Sequence, residues 1–326
     1  MKMQTKDNII DSNIESKTFG IAVNAEMFKT ISARLYTDPI MAIVRELVAN
    51  AIDANNAKGV DTPVRVHFPS VLEPYFSVED DGVGMDEETI MELYTVYGNS
   101  NKRDTNDLIG GLGLGSKTPF SYTDQFTIES GDGKTRKSYV AFLDKGIPNI
   151  SKPFSSVEDE KSGTKITLSV EEGDFNAFLK KGIEVFLFTA EMPEIIHRKD
   201  DFFNWHSSCG SEEAYLEARE ALKQDLFIRN SFLSSVFGLS DSIFVVMGGI
   251  KYKLDTRQVF GDDDKYYAVV RYLRDCIRSA IVFHLPIGSV SIQASREELY
   301  YDNETIETLR TVVLTKIAEY VKSILM

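Results

Sequence analysis

Two cysteines, Cys209 and Cys276, are too few for a disulfide framework or a cysteine-based zinc site. They read as ordinary thiols of a reducing compartment. The opening segment M-K-M-Q-T-K-D-N-I-I-D-S is polar and holds no apolar signal core. No uninterrupted apolar run approaches about 18 residues, so no transmembrane segment is expected and a cytoplasmic location is. Positive charge is in deficit: 36 basic against 50 acidic residues give a formal net charge of −14. Such a chain repels phosphate backbones overall, which disfavours general nucleic-acid binding and leaves a protein partner as the better expectation. Repeats and low-complexity tracts are missing too, so a solenoid is excluded.

What is there is ordinary globular material, 43% hydrophobic and 26% charged over 326 residues, a length that suggests two domains. Residues 1–17 read as a polar arm. A short strand at 19–24 and a helix at 25–32 follow. Asp38 as cap and Pro39 in the first turn start a helix reaching about Lys58, with Met41, Ile43, Val44, Leu47, Val48, Ala51 and Ile52 on one face. Strands are expected at 63–68, 75–79, 120–130, 138–143 and 163–170, and helices at 86–97 and 175–188. Helices grouped early and antiparallel strands grouped late indicate an α+β fold, a two-layer α/β sandwich with a mixed sheet, over residues 18–195. A boundary is expected near 195–201. Residues 196–326 then hold a helix at 212–223, strands at 243–247, 250–254 and 280–285, a helix reaching Arg278, a strand over 289–298 that runs into a loop, and a terminal helix from Thr305.

Three motifs stand in order within Met41–Lys117. In R-E-L-V-A-N-A-I-D-A, the residues Glu46, Asn50 and Asp53 fall at i, i+4 and i+7, so one helix face presents a carboxylate, an amide and a second carboxylate. A solvated stripe would explain that trio equally well, except that its neighbours are small and apolar. In E-D-D-G-V-G-M, a strand ends in Asp80 and opens into Gly82 and Gly84. This is either a simple Asp-Gly turn or a place where a buried carboxylate accepts from a ligand amino group. In I-G-G-L-G-L-G-S-K, four glycines open into a helix, so that backbone N–H groups can converge on an anion, unless the cluster is a plain hinge. The order Ser116-Lys117 is not that of a Walker loop, and the glycines follow a polar segment (98–108) rather than the first strand of a βαβ unit.

Together, E-x-x-x-N, then D-x-G-x-G, then G-x-x-G-x-G, then G-T before a strand resemble the GHKL ATPases, the family of gyrase B, Hsp90-type chaperones, MutL and sensor histidine kinases. More narrowly, V-R-E-L-V-A-N-A-I-D-A, I-G-G-L-G-L-G-S-K-T-P-F-S-Y-T-D and G-S-V-S-I-Q-A-S-R-E are similar to bacteriophage rIIA-type proteins, of which this chain would be a short relative or an N-terminal portion. The resemblance implies a Bergerat-type ATP-binding fold followed by a ribosomal-S5-domain-2-like transducer domain. It implies ATP and Mg2+ as cofactors, lid closure, a homodimer formed on ATP binding, and a phage or host protein partner in a bacterial cytoplasm. By the same resemblance Glu46 is the general base, Asn50 the magnesium ligand, and Asp53 a further residue of that face. Asp80 accepts the adenine amino group, Gly82 and Gly84 let the base approach the backbone, and Met85 borders the purine. Gly110, Gly111, Gly113 and Gly115, with Leu112 and Leu114 between them and Ser116 and Lys117 after, form the phosphate lid, and Thr164 lies near adenine. Arg296 in Q-A-S-R-E is the candidate γ-phosphate sensor, with Gln293 behind it. A surface pair of Arg296 with Glu297 or Glu298 is the plainer alternative. A histidine kinase is disfavoured, because Arg45 precedes Glu46 and none of His67, His197, His206 and His284 sits in a dimerisation hairpin.

Overall fold

The computed structural model describes residues 25–28, 35–95, 115–204, 210–224, 226–229, 243–261, 266–269, 271 and 280–325. The expected arm, the strand at 19–24, the polar segment 98–108 and the lid residues Gly110, Gly111, Leu112, Gly113 and Leu114 lie outside them, as does most of the expected helix before Arg278.

Helix α1, Pro39–Lys58, begins and ends as its sequence dictates. The Asp38 carboxylate accepts from the Met41 N–H at 3.0 Å, Pro39 supplies a preset φ, and Gly59 closes the helix in the left-handed region. Its apolar face (Ile43, Val44, Leu47, Val48, Ala51 and Ile52) is buried. It packs on a second helix, Phe175–Phe186, and on a mixed sheet.

That sheet runs β5-β4-β3-β7-β2-β1-β8, with β6 also on β4. In chain order the strands are β1 Arg65–His67, β2 Tyr75–Glu79, β3 Gln125–Asp132, β4 Thr135–Asp144, β5 Ile147–Ile150, β6 Ser155–Glu158, β7 Ser162–Ser169 and β8 Glu194–His197. All neighbours are antiparallel except β1 and β8, which run parallel. Helix α2, Glu87–Thr95, follows β2; α3 is the helix at Phe175–Phe186. Helices and mixed sheet together agree with a GHKL-type ATPase fold.

Two expectations need correction. Pro119 lies within a short 3-10 turn, Gly115–Ser121, so β3 starts at Gln125 rather than 120. Residues 289–298 do not form a strand: only Ile292 and Leu299 pair, as an isolated bridge closing a loop. At the expected boundary, β8 joins the first sheet and α4, Lys199–Phe203, follows it. Helix α5, Glu212–Leu222, continues the same packing, because Phe202, Tyr215, Ala218 and Leu222 all belong to the first core.

A second sheet, β11-β10-β12-β9, comprises β9 Leu226–Arg229, β10 Ile243–Met247, β11 Ile250–Lys253 and β12 Ala280–Leu285. Its central strands are buried on both faces. Phe244, Val246 and Val282 face the first core, whereas Ile243, Val245, Met247, Ile281 and Phe283 face a second core. Short α6, Thr256–Phe260, and long α7, Asn303–Leu325, cover that second face through Val259, Phe260, Leu309 and Val313. An uninterrupted apolar strand such as I-F-V-V-M is what a sheet covered on both sides requires. The shared sheet fixes the C-terminal half against the first and brings the 292–299 loop over the start of α1.

Candidate functional site

Glu46 is 2% exposed on α1, in a position where an unpaired carboxylate would be costly. Two guanidinium groups answer it. Arg45 Nε donates to Oε1 at 3.1 Å, and Arg296 Nη1 donates to Oε2 at 3.0 Å. Burial alone would raise the Glu46 carboxyl, but Arg296 and then Arg45 outweigh it and hold the group below the usual carboxylate range. The same Arg45 reaches on through Nη2 to the Ser295 carbonyl at 2.9 Å. Tyr252 of β11 flanks Arg296 from the other side.

Arg296 is itself buried and sits at φ 57, a left-handed conformation that a non-glycine residue adopts at a cost of about 1–3 kcal/mol. The loop around it is over-determined. Arg296 N–H donates to the Gln293 carbonyl, Gln293 Nε2 donates to Glu298 Oε2, and the Glu297 carboxylate receives Thr37 N–H, Thr37 Oγ1–H and Asp38 N–H at 3.0–3.1 Å. The surface pair of Arg296 with Glu297 or Glu298 therefore does not form. Glu297 instead ties the loop to the entry of α1, where backbone N–H groups point outward and favour an anion.

The remainder of the expected α1 face is also buried: Asp53 is 2% exposed, and Asn50 is half-buried. A solvated stripe is thus excluded. Gly115 closes over this face. A Cβ on Gly115 would stand 2.6 Å from Glu46 Oε2 and 3.6 Å from Asn50 Nδ2, so only glycine permits the approach. Lys117, two residues on, is buried, and burial lowers its ammonium to about 8. Ser116 is half-buried beside it.

A second group of polar residues gathers at the C-terminal end of β2. Asp80 Oδ1 accepts from Gly82 N–H at 2.9 Å and from Thr164 N–H at 3.1 Å. Desolvation raises the Asp80 carboxyl to about 6 despite these two bonds. Thr164 Oγ1 lies 3.0 Å from Ser130 Oγ, which in turn accepts from Met85 N–H at 2.8 Å. Asp80, Met85, Ser130 and Thr164 thereby form one hydrogen-bonded group. Gly84 makes a close backbone contact here. Its φ is +68, and a Cβ there would stand 1.7 Å from the Gly131 carbonyl oxygen, so it serves a close approach between two strand ends. Gly82 likewise packs against Ala54 of α1.

Residues 37–164 match the family model described as histidine kinase-, DNA gyrase B-, and HSP90-like ATPase. The match supports the GHKL family. The GHKL-type segment begins one residue before the α1 cap and ends on Thr164, so it includes Glu46, Asn50, Asp53, Asp80 and the 110–117 glycine run. It supports ATP binding as the function of this segment. The Arg296 loop lies beyond it. No curated protein matches the chain. Among the described residues no helix is long and apolar enough to cross a membrane.

Four participants had no assigned part in the motif reading. Arg45 was visible beside Glu46, and its adjacency to a motif carboxylate was the available signal. Ser130 stands at a strand end with no motif around it. Arg65 forms a bidentate pair with Asp81 at 2.7 and 2.9 Å, and Asn55 Oδ1 accepts from Asp81 N–H at 2.9 Å. These two anchor the residue next to Asp80, and neither follows from sequence spacing, because both depend on α1 lying across β1 and β2.

Proposed function

We propose that the chain is a magnesium-dependent GHKL-type ATPase in which the C-terminal half controls the catalytic carboxylate. The single observation that carries this reading is the buried Arg296–Glu46 pair, 3.0 Å long, formed by a residue outside the GHKL-type segment on a residue inside it. Glu46 is the general base for water. Asp80 accepts the adenine amino group: both backbone donors meet Oδ1, which leaves Oδ2 for a further donor. Thr164 and Met85 border the purine side, and Ser116, Lys117 and the glycines 110–115 receive the phosphates.

The residues fit a magnesium nucleotide in charge and placement. Asn50 stands one helical turn from Glu46 and faces Gly115. Its amide oxygen would hold a hard cation, and Mg2+ bound there would screen charge on the phosphates. Asp53 supports the same face.

The pair also suggests how the base is switched. While Arg296 holds Glu46, the carboxylate has low proton affinity and is a poor base. An anionic phosphate competes for the guanidinium. Once Arg296 turns to it, desolvation acts on Glu46 with only Arg45 opposing, and its proton affinity rises. Arg296 would then stabilise charge developing on the phosphate. Domain position, lid closure and turnover become one coupled event. In this reading the C-terminal half is an S5-like transducer, ATP binding promotes a homodimer, and the setting is that of a phage rIIA-like regulator of lysis or host exclusion with a protein partner. Those finer assignments rest on the sequence resemblance.

A second reading is a non-hydrolysing, ATP-gated scaffold. The firm ionic hold on Glu46 favours it. Turnover and molecular mass, measured with ATP and with a non-hydrolysable analogue, separate the two. Phosphate release with a mass increase supports the ATPase clamp. A mass increase with no phosphate release supports the scaffold. Absence of nucleotide binding contradicts both.

A further inference from the structure

At the opposite end of β2 from Asp80, two histidines and a glutamate converge. Their nearest ligand atoms lie within 4.8 Å of one another. Strands β1 and β8 bring them together by an irregularity. The parallel register is Val66 with Ile195 and then His67 with His197, so one residue of β8 is skipped. A bulge of this kind re-aims side chains, and here it makes the two histidines direct cross-strand neighbours. Glu73 arrives from the turn between β1 and β2. That turn is braced by Ser70 N–H on the Glu73 carbonyl at 3.0 Å and by Arg198 Nη1 on the Pro69 carbonyl at 3.0 Å.

A hydrogen bond assigns the ring nitrogens of His67. His67 Nδ1 lies 3.1 Å from the Tyr75 carbonyl, which can only accept, so Nδ1 carries the proton. His67 Nε2 is then an unprotonated lone pair. It is buried on a residue 5% exposed and has no hydrogen-bond partner among the described residues. His197 Nε2 lies 3.0 Å from Ser70 Oγ, and in the tautomer whose Nε2–H donates to that hydroxyl its Nδ1 turns a lone pair toward Glu73. A histidine whose far nitrogen is held by a carbonyl or hydroxyl is the arrangement that orients a metal ligand.

We propose that His67 Nε2, His197 Nδ1 and a Glu73 carboxylate oxygen bind a divalent transition-metal ion of the zinc class, with solvent in the fourth position. Glu73 Oε2 stands 3.4 Å from His67 Nε2 and 3.1 Å from His197 Nδ1. Ligands about 2.0–2.1 Å from a tetrahedral ion are about 3.3 Å apart, so two edges of the tetrahedron already have the right length. The histidine rings stack, with centroids 4.4 Å apart and planes within 6°. The ion therefore enters with a rotation of His197, which is the more exposed ring and lies at a sheet edge. Two imidazoles and one carboxylate suit Zn2+ better than Mg2+, which prefers an all-oxygen shell. The site is separate from the Asp80 cluster, since five residues of strand span about 16 Å. Its ion would clip β8 and α4 to the β1–β2 turn.

The test is a calorimetric titration of Zn2+ into the full chain without nucleotide, in excess Mg2+ to occupy hard oxygen sites, repeated with His197→Ala and Glu73→Gln. Binding of one equivalent, weakened at least ~10-fold in both variants, is expected. Absence of stoichiometric binding by the wild type, or unchanged affinity in both variants, overturns the proposal. Should either variant fail to fold, Co2+ added to the wild type decides. An intense visible spectrum of a tetrahedral site is expected, and the weak spectrum of an octahedral ion is the contrary result.

Discussion

Arg296 Nη1 donates to Glu46 Oε2 across 3.0 Å, joining residues 250 positions apart in a buried contact. Arg45 completes the arrangement from inside α1, touching both Glu46 and the Ser295 carbonyl. Glu46 is thus held by one cation of its own helix and one from the C-terminal half.

Removing one partner of a buried pair leaves the other charge uncompensated. Arg296→Ala is expected to lower stability by about 3 kcal/mol. With Glu46 also changed to Ala, the added loss is smaller, so the double-mutant cycle yields a coupling of about 1–3 kcal/mol. Urea unfolding of the four proteins measures it. Additive losses would mean that the two side chains do not act on each other.

Asp80 carries a pH signature. Its folded-state value of about 6 lies above the ordinary 3.8, so the folded chain holds this proton over the window between them. A proton held more tightly when folded makes stability fall as pH rises through that window. The wild type should lose up to about 3 kcal/mol relative to Asp80→Asn between pH 4 and 6. Adenine-nucleotide affinity should move oppositely, weakening as pH drops below about 6 and the acceptor carboxylate is protonated. Unfolding and fluorescence-polarisation titrations across that range check both signs.

Gly84→Ala is expected to destabilise strongly. The new Cβ would meet the Gly131 carbonyl at 1.7 Å, at a φ of +68. A loss of about 2–3 kcal/mol or more follows. Thermal unfolding of the variant, compared with an alanine at the open position Gly173, gives the contrast.

Much of this was legible from local pattern. Helix α1 announced itself through Asp38, Pro39 and its apolar spacing. The burial of Glu46 and Asp53 followed from their small, apolar neighbours. Long-range consequences were not legible. The alternation in Ser289–Ile292 reads as a strand, but Arg296 turns left-handed with no glycine to signal it. Cross-chain bonds from Thr37, Asp38 and Arg45 hold it there, and no short window of sequence contains both ends. The tract near 195–201 reads as a boundary because a turn-rich, aromatic stretch follows it at 200–210. Its pairing with β1 and the aromatic packing of Phe202 on Tyr215 are tertiary facts. Gly84 reads as a glycine with a backbone task, and the backbone it approaches most closely is that of Gly131.

The role of Glu46 is decided by phosphate release from Mg-ATP by the wild type and by Glu46→Ala, with nucleotide affinity measured separately. Glu46→Ala is expected to bind ATP still while turnover falls at least ~100-fold, the contribution of a positioned general base. Turnover at the wild-type rate in Glu46→Ala would contradict that role.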